Sequence, residues 1–363
     1  MTVPDVRAFA ELICDYSLEV SERNQVLIDS PVIAQPFLLE LQRSVLDRGA
    51  WPLFRLKRPG QESGFYDHAT DIQLDGFAPL ELDEYKSIDR YLRIIGAQDP
   101  GGFEGIEPDV ISRATKARAP LLAAKFDIQL RSLTYWPTQV AADQAGISLD
   151  ELSRFVNGAL FLDKPDPVGE WKNLEAFQAR LIERLTPADE IRIEGPGTDI
   201  TLRVKGRTWI NSAGKRNMPS GEVFTGPLED SANGTISFDI PSAPAGVKVR
   251  GITLTFKDGE VVDHSAEEGA AYLGRMLDAD PGARRLGEIG IGTNFGITKS
   301  VNEILFDEKI GGTVHLAIGN SYPESGGTNL SSVHWDMICD LRRGGRLSLD
   351  GEVIQQDGVF ATV

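Results

Sequence analysis

The stretch QVLIDSPVIAQPFLLELQRSVLDRGAWPLFRL, residues 25–56, decides the fold of the first half of the chain. Its apolar run at 25–30 predicts a buried strand, residues 36–48 predict a helix with a proline in the first turn, and 51–56 predicts a second strand. Two strands joined by a helix usually pair in parallel, because the helix returns the chain to the end where the first strand began. This stretch therefore predicts a parallel sheet.

The flanking sequence repeats this alternation of helix and strand. Residues 4–20 have apolar side chains at helical spacing, 91–96 and 131–136 are strand-like apolar runs, and 108–125 and 138–160 have a mostly helical pattern. Helices that alternate with strands cover both faces of a parallel sheet. We predict an α/β N-terminal domain with a largely parallel sheet.

The pattern changes after a further predicted helix near 173–185. From Glu190 onward the chain has short alternating runs separated by Gly, Pro and Asp-Gly turns, and Asp258-Gly259 between two such runs is typical of a hairpin. We therefore predict an N-terminal domain at 1–187 and a C-terminal domain at 188–363.

Composition and charge exclude several classes of function. The chain has 363 residues, which suits two domains, and a net charge of -17, which argues against a nucleic-acid partner. No apolar run is long enough to span a membrane, and residues 1–5 lack the features of a secretory signal, so we predict no membrane partner and a cytoplasmic location. Cys14 and Cys339 lack metal-type spacing and are predicted to be buried thiols in a reducing compartment.

Two of the four histidines lie in sequence that suggests chemistry. His68 and His264 are interpreted as structural. His334 and Asp336 are two residues apart in a predicted strand, so their side chains share one face and could bind a metal, although such a pair is common by chance. His315 lies in another predicted strand, with glycines on both sides of it.

Further candidates occur in glycine-rich sequence. Tyr322, in a Gly-rich loop, is either a hydrogen-bond donor at a site or part of the loop packing. Glu222 follows small residues and precedes apolar ones. Glu288 lies in a glycine-rich apolar run, where a carboxylate either faces solvent at a strand end or meets a partner or metal. The run 290–296 lacks the context of a dinucleotide-binding loop.

Three carboxylates and two imidazoles form the candidate ligand set. These side chains would suit two divalent ions about 3.5–4 Å apart, bridged by a carboxylate and a water. Such a centre lowers the pKa of bound water to roughly 7 and polarises a carbonyl, which fits amide hydrolysis. The set comprises Glu222, Glu288, His315, His334 and Asp336.

The motifs around these residues resemble a known family, the thermophilic-type metalloaminopeptidases of the aminopeptidase S, aminopeptidase T and PepS group. The matching segments are 218–225, 283–294, 305–320 and 331–342, and the likeness extends over essentially the whole chain. The resemblance implies an N-terminal α/β domain followed by an α+β catalytic domain, and homodimers whose subunits enclose the active-site cavity.

The resemblance also implies roles for individual residues. The family's metal ligands correspond to the five residues of the candidate set, and its site tyrosine corresponds to Tyr322, as a ligand or as a donor to the oxyanion. Glu308 corresponds to an acidic residue that acts either as a general base or by supporting the metal ligands without binding the metal itself. The implied reaction releases N-terminal residues from short peptides by hydroxide attack at two divalent ions, with Glu288 or Glu308 transferring the proton. Zinc, cobalt and magnesium are all associated with the family.

Two other functions remain as alternatives. Some relatives on a similar scaffold resemble non-haem iron dioxygenases that cleave dihydroxypyridine rings, in which two histidines and one carboxylate hold a single iron. In those relatives a histidine stands in place of Glu288 and the glutamate matching Glu222 is missing, so this chain favours hydrolysis. The other alternative is a non-catalytic binding protein that keeps the fold.

Overall fold

A computed structural model describes residues 4–99, 105–242 and 244–361 of the chain. Residues 1–3, at the start of the stretch examined for a secretory signal, lie outside this part. The chain forms two compact units, Met1–Val168 with Gly214–Pro219, and Gly169–Ala213 with Ser220–Val363. The domain boundary that the sequence predicts at residue 187 stays a prediction, because these two units are defined by compactness and not by independent folding.

The strands alternate with helices in the first half and follow one another in the second. In chain order they are β1 Gln25–Pro31, β2 Trp51–Lys57, β3 Arg90–Ile95, β4 Leu130–Tyr135, β5 Glu190–Gly195, β6 Thr198–Arg203, β7 Ile210–Ser212, β8 Asn217–Met218, β9 Glu222–Thr225, β10 Asn233–Phe238, β11 Ile252–Lys257, β12 Glu260–Ser265, β13 Leu286–Gly292, β14 Thr313–Gly319, β15 His334–Asp340, β16 Arg346–Leu349, β17 Glu352–Gln356 and β18 Val359–Phe360.

The helices are concentrated in the first half of the chain. They are α1 Val6–Leu12, which continues as the π-helical turn Ile13–Ser17, α2 Gln35–Asp47, α3 Gln61–His68, α4 Asp71–Leu74, α5 Pro79–Ser87, α6 Pro108–Ala117, α7 Ala119–Asp127, α8 Gln139–Ala145, α9 Leu149–Ala159, α10 Pro167–Leu185, α11 Ala270–Leu277 and α12 Ile304–Asp307. Within the described residues no helix is long and apolar enough to cross a membrane.

The first unit contains a five-stranded sheet in the order β2-β1-β3-β4-β8, and all of its pairings are parallel. The second unit contains an eight-stranded sheet, β12-β11-β10-β6-β5-β16-β17-β18, and a five-stranded sheet, β15-β14-β13-β9-β7, both antiparallel. The predicted fold class is confirmed, because a parallel α/β part precedes a part with antiparallel sheets and helices.

Two predicted helices are each divided by a local signal. The predicted helix 108–125 breaks at Arg118, because Pro120 in the first turn of α7 cannot donate to the preceding ladder. The predicted helix 138–160 breaks at Gly146, which has a left-handed φ of 69°, and α9 then restarts with Ser148 accepting from the amide of Glu151.

The apolar core of the second unit packs against one face of its five-stranded sheet. Alternate side chains of β13, β14 and β15 point into one apolar cluster, which also receives Leu181 and Leu185 of α10. These alternate residues are Ile289, Ile291, Val314, Leu316, Ile318, Trp335, Met337 and Cys339. Because strand side chains alternate, the intervening residues must lie on the opposite face of the sheet. Cys14 and Cys339 are both buried free thiols, as predicted.

Candidate metal centre

The five candidate ligands lie on the sheet face opposite the apolar core, spread over four adjacent strands. Residues that oppose each other in register share a face, and the register pairs Glu222 with Gly292, and Glu288 with Ala317. Across the next pairing, Ala317 opposes Asp336 and Gly319 opposes His334. His315 is two residues from Ala317 on β14 and so belongs to the same face.

Small residues leave room for the ligand side chains on this face. A Cβ added at Gly290 would lie 2.0 Å from Nε2 of His315, and one added at Gly292 would lie 2.1 Å from the carbonyl oxygen of Ile310. Gly290 opposes His315 in the register, so the imidazole occupies the space that a side chain there would fill. Gly290 is therefore required by the site, whereas Gly292 allows the close approach of the Ile310 backbone.

A first group of ligand atoms surrounds the imidazole of His315. Its Nε2 lies 3.4 Å from Oε2 of Glu222 and 3.3 Å from Oε1 of Glu288. The three residues are buried, with exposed fractions of 0%, 5% and 5% respectively. One ligand atom from each of the three lies within 4.8 Å of the others, so the group is compact enough to hold an ion.

A second group contains the other imidazole. Nε2 of His334 lies 3.4 Å from Oδ2 of Asp336 and 3.8 Å from Oε2 of Glu288. The Nδ1 of His334 lies 2.8 Å from the carbonyl oxygen of Asn320, to which it donates a hydrogen bond if it carries the proton. In that tautomer the lone pair of Nε2 points toward the carboxylates, the arrangement that a metal-ligating histidine needs.

Glu288 joins the two groups because each of its oxygens approaches a different imidazole. Among the described residues, the clusters compact enough to hold an ion are these two, and both include this glutamate. Neither group includes His68 or His264. Glu288 is therefore the carboxylate that the two groups share.

The pKa values of the site reflect a buried excess of carboxylates. Burial raises the pKa of Glu222 to about 7, against the opposing charges of Lys309 and His315. Burial would lower the pKa of His315, but the hydrogen bond to Glu288 and the charge of Glu222 outweigh it and raise that pKa to about 10. Burial would likewise lower the pKa of His334, but Asp336 raises it to about 9. The imidazoles thus retain protons that divalent ions would displace.

Lys309 completes the charge balance and was not found by sequence reasoning. Its side chain is fully buried, its Nζ lies 3.6 Å from Oε1 of Glu222, and it forms an ion pair with Glu308. Although burial disfavours the charged amine, these two carboxylates raise the pKa of Lys309. Asp307-Glu308-Lys309 has the composition of a solvated surface turn, and the apolar run with glycines that follows it was the only available signal of burial.

Tyr322 lies beside the second group. Its ring centroid is 5.0 Å from that of His334 and 5.8 Å from that of Phe224, and 42% of the residue is exposed. Burial of the hydroxyl and the carboxylate of Glu288 raise the pKa of Tyr322, so the phenol keeps its proton near neutral pH. The protonated phenol therefore keeps its capacity to donate a hydrogen bond beside His334.

We expect Lys309→Met to lower the free energy of unfolding of the metal-free protein by about 3 kcal/mol, because it leaves buried carboxylates without their cation. Chemical denaturation in the presence of a chelator would measure the change. Lys205→Met, at an exposed position, is the matched control and should shift stability by less than about 0.5 kcal/mol. Equal stability of both variants would contradict the assigned role of Lys309.

The donor atoms fit divalent cations. Carboxylate oxygens and imidazole nitrogens are the ligands that zinc and related ions prefer, and buried carboxylates need such compensation. Glu222, Glu288 and His315 would hold one ion, and Glu288, His334 and Asp336 would hold another. Donor sets of carboxylates and imidazoles are those of metal-dependent hydrolases.

A family assignment follows from comparison with known proteins. The family described as thermophilic metalloprotease (M29) matches residues 3–360, so the chain belongs to this family. The predicted family and the predicted enzyme class, a metalloaminopeptidase, are confirmed. The chain is 28% identical to Aminopeptidase 2 of Geobacillus stearothermophilus over 96% of its own length and 94% of the relative's.

Two solved structures show the same fold. That of wild-type AmpT from Thermus thermophilus has a TM-score of 0.83 and 24% identity, covering 98% of this chain and 99% of that one. The 2,5-dihydroxypyridine dioxygenase of Pseudomonas putida KT2440 has a TM-score of 0.60 and 14% identity, covering 100% and 99% of the two chains. At these identities the likeness concerns the fold alone.

Proposed function

We propose that this metalloaminopeptidase removes N-terminal residues from short peptides at a centre of two divalent ions. The observation that carries the proposal is the shared position of Glu288, whose two oxygens approach His315 and His334 at 3.3 and 3.8 Å. A bridging carboxylate with a histidine and a second carboxylate on either side supports two ions better than one. Zinc, cobalt and magnesium all suit these donors.

Each residue of the site would have its own role in hydrolysis. Bound divalent ions supply an activated water and polarise the scissile carbonyl. Tyr322 would donate a hydrogen bond to the oxygen of that carbonyl as negative charge develops on it. Because Glu288 is engaged by both imidazoles, Glu308 is the better candidate to accept a proton and pass it to the leaving nitrogen. Lys309 would hold Glu308 in place through their ion pair.

The ring-cleaving alternative is less well supported by the same site. A single-iron triad needs two histidines and one carboxylate with open positions. Here Glu222, Glu288 and Asp336 all lie within 3.4 Å of an imidazole, which gives three carboxylates rather than one. The extra negative charge favours two divalent ions and hydrolysis.

A cytoplasmic homodimer remains part of the proposal. Large apolar side chains are exposed on β2 and α2 of the first unit, and exposed apolar surface of this kind is typical of protein interfaces. They comprise Leu39, Leu46, Trp51, Leu53, Phe54 and Leu56.

We expect chelation to abolish hydrolysis of aminoacyl 4-nitroanilides and addition of zinc, cobalt or magnesium to restore it. Calorimetric titration of the metal-free protein should show two ions bound per chain. Full activity in the presence of chelator would contradict the proposal. Binding of a single ion, together with oxygen uptake on a dihydroxypyridine, would instead favour the ring-cleaving alternative.

A further inference from the structure

A cavity of about 370 Å³ adjoins the second ligand group and is lined in part by His334 and Asp336. Its size falls in the range of about 300–1,000 Å³ that is usual for small-molecule sites. On β15, Ile338 follows these two residues on the same face and also lines the cavity. A substrate whose carbonyl lies at the ions could therefore extend a neighbouring group along β15 into this space.

Much of the cavity wall is apolar. The apolar lining residues include Ile240, Pro241 and Pro244, and Ile304 of α12. Trp335 donates from its indole nitrogen to Oγ of Ser242 at 2.8 Å, and the amide of Ile240 lies 3.5 Å from the carbonyl oxygen of Ile338. These bonds hold Ile240 and Ser242 beside β15, so this part of the wall is a built part of the fold.

Besides Asp336, two further carboxylates line the cavity, and they differ in what they contact. Asp307 is satisfied, because its Oδ2 accepts from the hydroxyl of Ser300 at 2.6 Å and its Oδ1 accepts from the amide of Val301 at 2.9 Å. Asp307 therefore holds the loop that precedes α12.

The carboxylate of Glu303 accepts fewer and longer hydrogen bonds than that of Asp307. Its Oε1 accepts one long bond, 3.5 Å, from the amide of Leu305. Across the described part of the chain, no lysine, arginine or histidine forms an ion pair with Glu303. Burial raises the pKa of Glu303 and the nearby charge of Glu308 adds to this effect, against the hydrogen bond from Leu305 and the more distant charge of Lys309. A partly buried carboxylate of this kind is strongly stabilised by a cation in direct contact with it, and among the described residues no side chain makes that contact.

We propose that Glu303 binds the cationic side chain of the substrate's N-terminal residue, so that the enzyme prefers peptides beginning with Arg or Lys. The inference rests on the proposed aminopeptidase function, since it requires the substrate carbonyl at the ions. The apolar walls suit the aliphatic stem of such a side chain and Glu303 suits its charged end.

The first test compares arginine, lysine and leucine 4-nitroanilides as substrates. For the wild type, kcat/KM should be at least about tenfold higher for the arginine and lysine substrates than for leucine 4-nitroanilide. The reason is that only the cationic side chains gain a charge-assisted contact with Glu303. Glu303→Gln keeps the acceptor for Leu305 and should lower kcat/KM for the two cationic substrates about tenfold relative to kcat/KM for leucine 4-nitroanilide, which abolishes the preference. Glu183→Gln removes the same charge from an exposed helical position and should leave the preference intact.

A second readout does not need the ions or turnover. Calorimetry with the metal-free protein would compare L-arginine amide with L-citrulline amide, which has the same length but no charge on its side chain. The wild type should bind the arginine compound about tenfold more tightly, and Glu303→Gln should bind both equally.

Three results would show whether the inference about Glu303 or the aminopeptidase function is wrong. A wild type with no preference for cationic residues overturns the inference. An equal fall of kcat/KM for all three substrates in Glu303→Gln also overturns it, since the glutamate would then bind the α-amino group or support the loop. If no aminoacyl substrate is hydrolysed but the arginine compound is still bound more tightly, the aminopeptidase function fails and Glu303 remains a cation-binding residue.

Discussion

Replacing Glu288 by glutamine is expected to lower kcat/KM for aminoacyl 4-nitroanilides by about a thousandfold or more, because several kcal/mol of transition-state stabilisation depend on it. The side chain approaches both imidazoles and belongs to both ligand groups, so its loss affects both proposed ion sites at once. Steady-state kinetics together with a calorimetric count of bound ions would measure both effects.

Substitutions at ligands that belong to one group only test whether Glu288 acts as a bridge or whether any lost carboxylate has the same effect. Glu222→Gln and Asp336→Asn also remove one carboxylate each, but each belongs to a single group. These variants should retain one tight ion, whereas Glu288→Gln should weaken both. If all three variants lose ions equally while remaining folded, the bridging assignment of Glu288 is wrong.

Gly290→Ala is expected to lower activity at least about a hundredfold, since displacing a reacting group by about an ångström has that effect. The added methyl would lie 2.0 Å from Nε2 and 2.1 Å from Cε1 of His315, too close for the imidazole to keep its place. We also expect a fall of about 1–3 kcal/mol in the free energy of unfolding, because the buried strand is overpacked. Kinetics and thermal unfolding would show the two effects.

Gly64→Ala is the matched control for this substitution. Gly64 lies within α3, and a Cβ there would meet no atom within 4 Å. The same added methyl should leave activity unchanged and stabilise the helix by up to about 1 kcal/mol. Wild-type activity in Gly290→Ala would show that His315 is not needed where the structure places it.

The sequence predicted those features that depend on local periodicity. Strands β1 to β4 and helix α2 carry clear apolar patterns, and the two-residue spacing of His334 and Asp336 correctly indicated a shared face. Helices α4 and α5, between β2 and β3, were not predicted. The helix α3 was not predicted, because it buries none of its residues and therefore carries no amphipathic pattern.

Features that depend on distant parts of the chain could not be predicted from periodicity. Strand β8 pairs with β4, far away in sequence, and its two residues carry no strand pattern of their own. The glycine-rich run around Glu288 was noticed, but only the register of β13 with β14 shows that Gly290 makes room for His315. Lys309 and Glu303 were missed for the same reason, since their surroundings come from other segments.

The distribution of the ligands over four strands has a consequence for biosynthesis. Glu222 lies on β9, and the pairings run from β9 through β13 and β14 to β15, which ends at Asp340. A ribosome-bound chain that has not yet reached β15 lacks His334 and Asp336 and cannot assemble the second ligand group. On the proposed ligand assignment, the nascent protein would therefore lack the second ligand group until β15 has been synthesised.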